Sequence, residues 1–166
     1  AGHEVLVLCR SRRDLAEYEF VEGVPFWTCY APHGGALSVV RMARAYSKMC
    51  REAVAGHRWD AIVNHHPLPL WVVGKSLPVR IPVVSIFHSP WPAEYVLLHG
   101  GKAGYLGREF RAMVEREALE RSDRIVTLSH YMREEAERRY AGARSRVDVA
   151  PGGVDVDRFG YAADPV

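Results

Sequence analysis

Short, mostly apolar runs recur along the chain, and charged or turn-forming residues bound each of them. Runs of this length and composition are typical of strands that are buried on both faces of a sheet. They predict strands at residues 5–9, 25–30, 60–64, 81–87, 124–128 and 146–150. Elsewhere apolar residues recur at steps of three and four, which is the period of a helix with one buried face. Helices are predicted at residues 36–58, 68–77, about 129–140, and in a segment that ends near residue 121 after a glycine-rich approach at residues 100–107.

The alternation of strands and helices determines the predicted fold class. It implies crossover connections and therefore an α/β fold, a Rossmann-like parallel sheet with helices on both faces. A length of 166 residues suits a single lobe at residues 1–166. Because ligands of such sheets bind beyond the carboxyl ends of the strands, the loops after the strands are the candidate binding segments. These loops are residues 10–13, 31–35, 65–67, 88–94, 129–131 and 152–155.

Histidines crowd the predicted strand ends. His65 and His66 follow one strand, His88 follows the next, and His33 lies on an earlier loop. A histidine held by a buried strand can turn its imidazole to a cleft, where a pKa near neutrality suits proton transfer or polarisation of a hydroxyl. We favour this role for His88. For the other three a hydrogen-bonded structural histidine is the simpler interpretation, and His66 is the better placed of them for function.

The loop after His88 carries two further candidates. Trp91 lies between two prolines, which restrict the backbone, and Glu94 follows three residues later. An indole beside a carboxylate suits sugar binding, because the ring stacks and the carboxylate accepts hydroxyl hydrogen bonds. A tryptophan that fills a hole in the core fits the same pattern equally well.

Gly152 and Gly153 turn the chain out of the last predicted strand, and Asp155 follows them. Two glycines permit positive φ and the close approach of another backbone or a ligand. From composition alone, an ordinary turn is the simpler interpretation.

Composition and motif content argue against several classes of protein. The net charge of +2 and sequence pI of about 8.5 are too mild for a nucleic-acid-binding surface. No stretch approaches the length of an apolar membrane span, and Walker A, GxGxxG and GxSxG motifs are absent. The histidines lack metal-ligand spacing. Cys9, Cys29 and Cys50 show no CxxC pattern, which indicates buried free thiols in a reducing compartment.

Three parts of the sequence together resemble glycosyltransferase family 4, whose members have the two-lobed GT-B fold. Residues 2–8 (GHEVLVL) resemble the family's GHEVxVxT second strand, and residues 81–94 (IPVVSIFHSPWPAE) resemble IPVVxTxHxPW. Residues 122–129 (SDRIVTLS) and 149–159 (VAPGGVDVDRF) resemble ADRIIAVS and VIPNGVDxxRF. Each motif alone is weak. Their order and spacing fit the N-terminal, acceptor-side lobe over essentially the whole chain.

The resemblance implies transfer of a sugar from a nucleotide-sugar to an acceptor hydroxyl, with retention at the anomeric carbon and without a bound metal or other cofactor. This lobe would hold the acceptor, and a second lobe would hold the nucleotide-sugar donor. His88 corresponds to the family's cleft histidine, close to the transferring sugar. His66 corresponds, less firmly, to a common position after the preceding strand.

The other expected site residues form two groups. Those expected to contact the acceptor, together with His66, are Trp91, Glu94 and Ser89. The loop expected to border the cleft contains Gly152, Gly153 and Asp155. Gly152 stands where the family usually has Asn, which predicts altered hydrogen bonding in the loop without loss of the fold.

The resemblance also predicts what should surround this chain. The family's first strand and its glycine-rich loop are expected before residue 2, and a donor lobe with basic and paired acidic residues is expected after residue 166. In the family's sheet the first strand lies beside the strand predicted at residues 5–9, so without it two half-sheets with unpaired edges are expected. We therefore expect a lobe that is inactive and marginally stable alone, or that self-associates or gains a strand from a partner segment.

Two other functions stay open at this point. One is a non-catalytic binding or interaction module that is derived from such a lobe. The other is a flavodoxin-like nucleotide-binding domain, which predicts tight nucleotide binding by this chain alone. We expect the protein in the cytoplasm and without a nucleic-acid partner. Its basic runs are compatible with a peripheral contact with the inner face of a membrane.

Overall fold

The computed structural model describes residues 2–11, 18–30, 36–74, 77, 80–99, 101–143 and 146–153. The strands are β1 (Val7–Ser11), β2 (Tyr18–Val21), β3 (Val24–Tyr30), β4 (Ile62–Asn64), β5 (Val83–Phe87), β6 (Arg124–Thr127) and β7 (Val147–Val149). The helices are α1 (Ala36–Gly56), α2 (Pro67–Val73), α3 (Trp91–His99), α4 (Gly101–Arg121) and α5 (His130–Arg139). A short 3₁₀ turn, Ala141–Ala143, precedes β7.

The strands of the described residues form two sheets. One is parallel throughout, in the order β4-β5-β6-β7. In the other, β3 lies between β1, to which it is parallel, and β2, to which it is antiparallel. Helices connect the successive parallel strands, so the predicted α/β class is confirmed. As expected, β1 and β4 each lie at the edge of a half-sheet and pair on one side only within the described part of the chain.

The β2–β3 hairpin differs from the sequence prediction, which places no strand between residues 9 and 25. Its tight turn contains Glu22 and Gly23, with φ of 50° and 81°. Positive φ at both turn residues is typical of hairpin turns whose twist matches that of the paired strands. Tyr18, Phe20 and Val21 are exposed. The strand was missed because it has no buried apolar face.

The hydrophobic core lies mainly against the four-stranded sheet. Side chains alternate along β5, so that Val83, Ser85 and Phe87 are buried. The largest core cluster joins β5, β6 and β7 to α4 and α5, and its buried members are Phe87, Leu119, Ile125, Ala136, Tyr140 and Val147. Full burial of a large apolar side chain stabilises the fold by about 1.5–3 kcal/mol. This packing fixes β5 and β6 in place and thereby positions the residues that follow them.

Asp123, within the motif at residues 122–129, connects β5 to the start of β6 through two hydrogen bonds. The Asp123 carboxylate accepts a hydrogen bond from the Val83 N–H at 2.8 Å, and the Asp123 N–H donates to the Val83 carbonyl at 2.8 Å. The hydrogen bond from Val83 lowers the pKa of Asp123. Further on, the Ser129 side chain accepts from the Met132 N–H at 3.2 Å. Ser129 is therefore the N-cap of α5.

Helix α3 was not predicted from the sequence, and α4 begins earlier than the sequence pattern predicts. Residues 88–92 were predicted as a rigid loop, but α3 begins at Trp91 with Pro92 in its first turn. Proline is tolerated there because the first N–H groups of a helix have no intrahelical partner. Of the glycines predicted to lie before α4, Gly101, Gly104 and Gly107 lie inside it. At Gly107 an added Cβ would lie 2.8 Å from Tyr95 Cζ, so the glycine allows α3 to pack closely on α4.

Candidate functional site

A pocket of about 240 Å³ lies at the carboxyl ends of β4 and β5. The two strands are parallel neighbours in register, with Asn64 opposite Ser85. Residues that follow them therefore converge at one edge of the sheet. The polar lining from these strand ends and from the start of α3 comprises Asn64, His65, His66, Ser85, His88, Ser89, Trp91 and Glu94. The structure thus brings five of the sequence-predicted site residues together: His66, His88, Ser89, Trp91 and Glu94.

His65 and His88 meet edge to edge in this pocket. Nδ1 of His65 lies 3.2 Å from Nε2 of His88, and the ring planes differ by 22°. The ring centroids are 5.5 Å apart, which is close to the sum of the 3.2 Å nitrogen–nitrogen distance and the radius of each ring. The two centroids and the two facing nitrogens therefore lie nearly on one line. The facing nitrogens therefore lie between two nearly coplanar rings. Both residues are exposed, so His88 has the open face that a role at the cleft requires.

His66 is held by the start of α2. It is the N-cap residue, and its Nδ1 accepts a hydrogen bond from the Leu68 N–H at 3.3 Å. The ring edge packs against Trp91, with centroids 4.8 Å apart and planes at 70°. Burial lowers the pKa of His66, against an opposing effect of the Glu94 carboxylate. The ring is thereby favoured in its neutral form.

Trp91 is half-buried, and its position agrees in part with each of the two interpretations made from the sequence, a sugar-stacking ring and a residue that fills the core. It lines the pocket, and its ring also packs under the Arg111 guanidinium at 4.9 Å from the centroid. A cation above an aromatic ring is a favourable contact that fixes the ring plane. The indole is therefore a rigid wall of the pocket and neither a loose surface ring nor a buried plug.

Glu115 anchors the start of α3 from below. It is 2% exposed, and its carboxylate accepts hydrogen bonds from the Trp91 N–H at 3.0 Å and from the Tyr140 hydroxyl. Burial raises the pKa of Glu115, although both hydrogen bonds act in the opposite direction. The carboxylate also lines the inner pocket wall.

Ser89 and Glu94 form a pair at the outer part of the pocket. The Ser89 hydroxyl donates to Oε1 of Glu94. Glu94 is exposed and lies in the first turn of α3, where the helix N-terminus favours a negative charge. The second carboxylate oxygen can accept a hydrogen bond from a ligand while the first is held by the serine.

A row of polar groups extends from the pocket into the core. The Asn64 amide N–H donates to Ser85 Oγ at 3.2 Å, and Ser85 Oγ lies 2.7 Å from Ser122 Oγ. Ser122 Oγ donates to the Ala118 carbonyl at 2.9 Å. Ser85 and Ser122 are 2% and 1% exposed, so these hydrogen bonds satisfy hydroxyls that water cannot reach.

The glycine turn after β7 is not among the residues that line this pocket. Gly152 and Gly153 are exposed, and a Cβ added to either would meet no heavy atom within 4 Å. Neither has a positive φ. The positive φ that glycine permits is therefore not adopted at this turn. Asp155, assigned to the same cleft loop, lies outside the described residues.

Sequence reasoning missed four polar residues that line the pocket. His65 was interpreted as structural, and Asn64, Ser85 and Glu115 were not singled out. Glu115 had a detectable signal, because it adjoins the apolar stripe of α4 next to Val114, where an unpaired carboxylate would be costly. The cysteine prediction is also changed in part: Cys9 and Cys50 are free but only partly buried.

Within the described part of the chain, no group of three or more histidine, cysteine or acidic side chains is arranged to hold a metal ion. The same residues include no helix with the length and apolar character that a membrane crossing requires.

The strand order, the helices between the parallel strands and a pocket at the carboxyl ends of two of these strands define a Rossmann-like α/β lobe. The sequence model of Glycosyltransferase Family 4 matches residues 1–158. The chain belongs to this family, as its motifs predicted. A comparison with curated protein sequences found no significant match.

The fold is similar to that of a solved GT-B enzyme, sucrose-phosphate synthase from Thermosynechococcus elongatus. The two structures align with a TM-score of 0.64 at 18% sequence identity. The alignment covers 94% of this chain and 40% of that enzyme. The chain therefore spans about two-fifths of the length of this relative, and the likeness confirms the GT-B lobe as its fold.

Proposed function

We propose that this chain is the acceptor-side lobe of a retaining glycosyltransferase that takes a hexosyl group from a nucleotide-sugar. In this proposal residues 1–166 form one Rossmann-like lobe of a cytoplasmic enzyme. A second lobe binds the donor, and sugar transfer takes place in the cleft between them. The observation that carries the proposal is the convergence of His88, His66, Trp91 and Glu94 in one pocket at the carboxyl ends of β4 and β5.

The chemistry of these side chains suits an acceptor that bears hydroxyl groups. The indole of Trp91 offers a rigid apolar wall for the C–H face of a sugar ring. The free oxygen of Glu94 accepts a hydrogen bond from a hydroxyl, with Ser89 holding the other oxygen. His88, exposed at the end of β5, is then the side chain that contacts the reacting hydroxyl or the transferring sugar.

Binding of an acceptor is tested first with the chain alone. Candidate sugars are titrated while tryptophan fluorescence is recorded for the wild type, Trp91→Phe and Trp59→Phe. Trp59 is the control, because its Nε1–H donates to Ala53 O at the end of α1, away from the pocket lining. We expect saturable quenching in the wild type and Trp59→Phe, and none in Trp91→Phe. A response that depends on Trp59 contradicts the proposed site.

Catalysis is tested by supplying a family 4 donor lobe in trans, with a radiolabelled nucleotide-sugar and an acceptor that binds. Transfer of the label with retained anomeric configuration supports the enzyme. Acceptor binding without any complex or transfer favours the non-catalytic module. Tight nucleotide binding by the chain alone favours the flavodoxin-like alternative.

A further inference from the structure

The contact between His65 and His88 restricts where protons can lie on the two rings. Nδ1 of His65 and Nε2 of His88 face each other at 3.2 Å. A ring nitrogen that carries hydrogen donates, and one without hydrogen accepts. Two bare nitrogens would repel through their lone pairs, and two N–H groups would collide. One hydrogen therefore lies between the rings when both imidazoles are neutral.

The position of that hydrogen follows from the tautomer preference of histidine. A neutral histidine side chain in water favours the form with hydrogen on Nε2. If His88 Nε2–H donates to His65 Nδ1, both rings keep this favoured form. If His65 Nδ1–H donates instead, His65 carries its hydrogen on Nδ1, and His88, whose Nε2 is bare, must do the same. Both rings would then adopt the disfavoured tautomer.

We propose that His65 is a positioning residue for His88, which it holds in the Nε2–H tautomer by accepting that hydrogen at Nδ1. The Nδ1 of His88 then remains bare as a hydrogen-bond acceptor. The described residues form no further hydrogen bond with the His88 side chain, so this nitrogen is available to a ligand in the pocket. Under the proposed function, on which this last step rests, the ligand is the acceptor and its hydroxyl donates to His88 Nδ1.

The tautomer is measured directly by NMR of the chain with ¹⁵N-labelled histidine, at about pH 8, above the ordinary histidine pKa of about 6.5. Signals of His88 are assigned with His88→Gln. We expect the ¹H–¹⁵N pattern of an Nε2–H ring and a scalar coupling between His88 Nε2 and His65 Nδ1 across the hydrogen bond. An Nδ1–H pattern for His88, or a tautomer mixture like that of the exposed His3, overturns the proposal.

Two variants separate positioning from general structural support. His65→Phe removes the acceptor, and His88 should then show a tautomer mixture. His65→Asn places an amide oxygen near the position of the former Nδ1 and should restore the Nε2–H form. Far-ultraviolet circular dichroism confirms that both variants are folded. A His88 spectrum that is unchanged in His65→Phe overturns the proposal.

Activity is measured with the chain and a family 4 donor lobe supplied in trans. Turnover should fall about tenfold in His65→Phe, with little change in the KM of the acceptor, and should recover in His65→Asn. Unchanged turnover in an active wild-type background contradicts the role of the pair at the reacting hydroxyl. If the spectra agree and the wild type transfers no sugar, the proposed function fails while the assignment of His65 as the partner of His88 stands.

Discussion

His66 contacts two parts of the pocket wall. Its Nδ1 accepts the Leu68 N–H at the start of α2, and its ring edge packs on Trp91. Only a neutral imidazole can accept a hydrogen bond at Nδ1. Protonation of His66 would therefore remove the cap of α2 and place a charge against the indole.

Acidification is accordingly expected to destabilise the lobe through His66. Burial lowers the folded-state pKa of His66, so just below the unfolded value of about 6.5 the unfolded chain binds more protons than the folded one. The free energy of unfolding should fall as the pH decreases through this window. His66→Asn keeps a capping acceptor and cannot titrate. Urea titrations at about pH 7.5 and 5.5 should therefore show a smaller loss in this variant.

The control for this measurement is His3→Asn, because His3 is exposed and forms no hydrogen bond or ion pair with the described residues. Its loss of stability on acidification should equal that of the wild type. An equal loss in the wild type and in His66→Asn would show that His66 does not cause the dependence on pH.

His88→Ala in the complete two-lobed enzyme should reduce turnover at least about tenfold, because the pocket loses the side chain closest to the expected reacting hydroxyl. The acceptor should still bind, since Trp91 and Glu94 remain, and its KM should change less than turnover. His3→Ala is the matched control and should leave the kinetics unchanged. Steady-state assays with varied acceptor measure both constants, and wild-type turnover in His88→Ala would remove His88 from the site.

At the scale of the elements, Glu115 of α4 connects the first residue of α3 to the end of α5. It accepts hydrogen bonds from the Trp91 N–H and from the hydroxyl of Tyr140, which is the C-cap residue of α5. Burial raises the pKa of Glu115, so its folded-state value lies above its unfolded one. Between the two values the folded chain binds more protons, and the free energy of unfolding must decrease as the pH rises through that window.

Glu115→Gln is expected to abolish this dependence, since the amide oxygen still accepts the Trp91 N–H and the side chain cannot ionise. Glu115→Ala leaves the buried Tyr140 hydroxyl and the partly buried Trp91 N–H without this acceptor, and the unpaired hydroxyl alone should destabilise the lobe by about 1–3 kcal/mol. Urea unfolding between about pH 4.5 and 7.5 tests both variants. If the glutamine variant keeps the wild-type slope, another group is responsible for it.

The packing of α3 on α4 predicts opposite effects for two glycine substitutions. A methyl group at Gly107 would press on the Tyr95 ring, which the Arg111 guanidinium covers at 3.5 Å from its centroid. Gly107→Ala should therefore destabilise the lobe by about 1–3 kcal/mol. Gly56, at the end of α1, has nothing within 4 Å of an added Cβ. Gly56→Ala should be neutral or stabilising in the same thermal melts, and a similar loss in both variants would mean that packing at Gly107 is not the cause.

At the scale of the whole molecule, the described strands are divided between two sheets, and β1 and β4 each have an open edge. Backbone groups on an open edge lack the ladder hydrogen bonds that a neighbouring strand would supply, and such edges readily pair with other chains. We expect this lobe to be of limited stability by itself and to gain stability from a segment that pairs with these edges.

A circular dichroism melt of the isolated chain should show a transition below about 60 °C, within the ordinary range for mesophilic domains or beneath it. Size-exclusion chromatography with light scattering should reveal association that increases with concentration. A cooperative transition above about 60 °C in a strictly monomeric sample would contradict this expectation.

The parts of the fold that the sequence predicted are those with a local physical cause. β5 lies within a mostly apolar run, and residues at about 129–140 have the period of a helix, so both elements followed from short segments. β2 was missed because its side chains face solvent, and α3 was missed because the prolines suggested a loop. The site was predicted only where residues follow strands. The roles of Glu115 and His65 depend on partners 24 and 23 residues away, which no local pattern indicates.

The polar row between the pocket and the core has only one consistent direction. Ser122 has a single hydrogen and donates it to Ala118 O, so Ser85 must donate to Ser122 and must receive from the Asn64 amide nitrogen. A carbonyl group buried in α4 thereby determines which way the Asn64 amide is turned. Among the described residues the amide oxygen of Asn64 has no hydrogen-bond partner, and it is therefore an additional hydrogen-bond acceptor in the pocket lining that is oriented before a ligand binds.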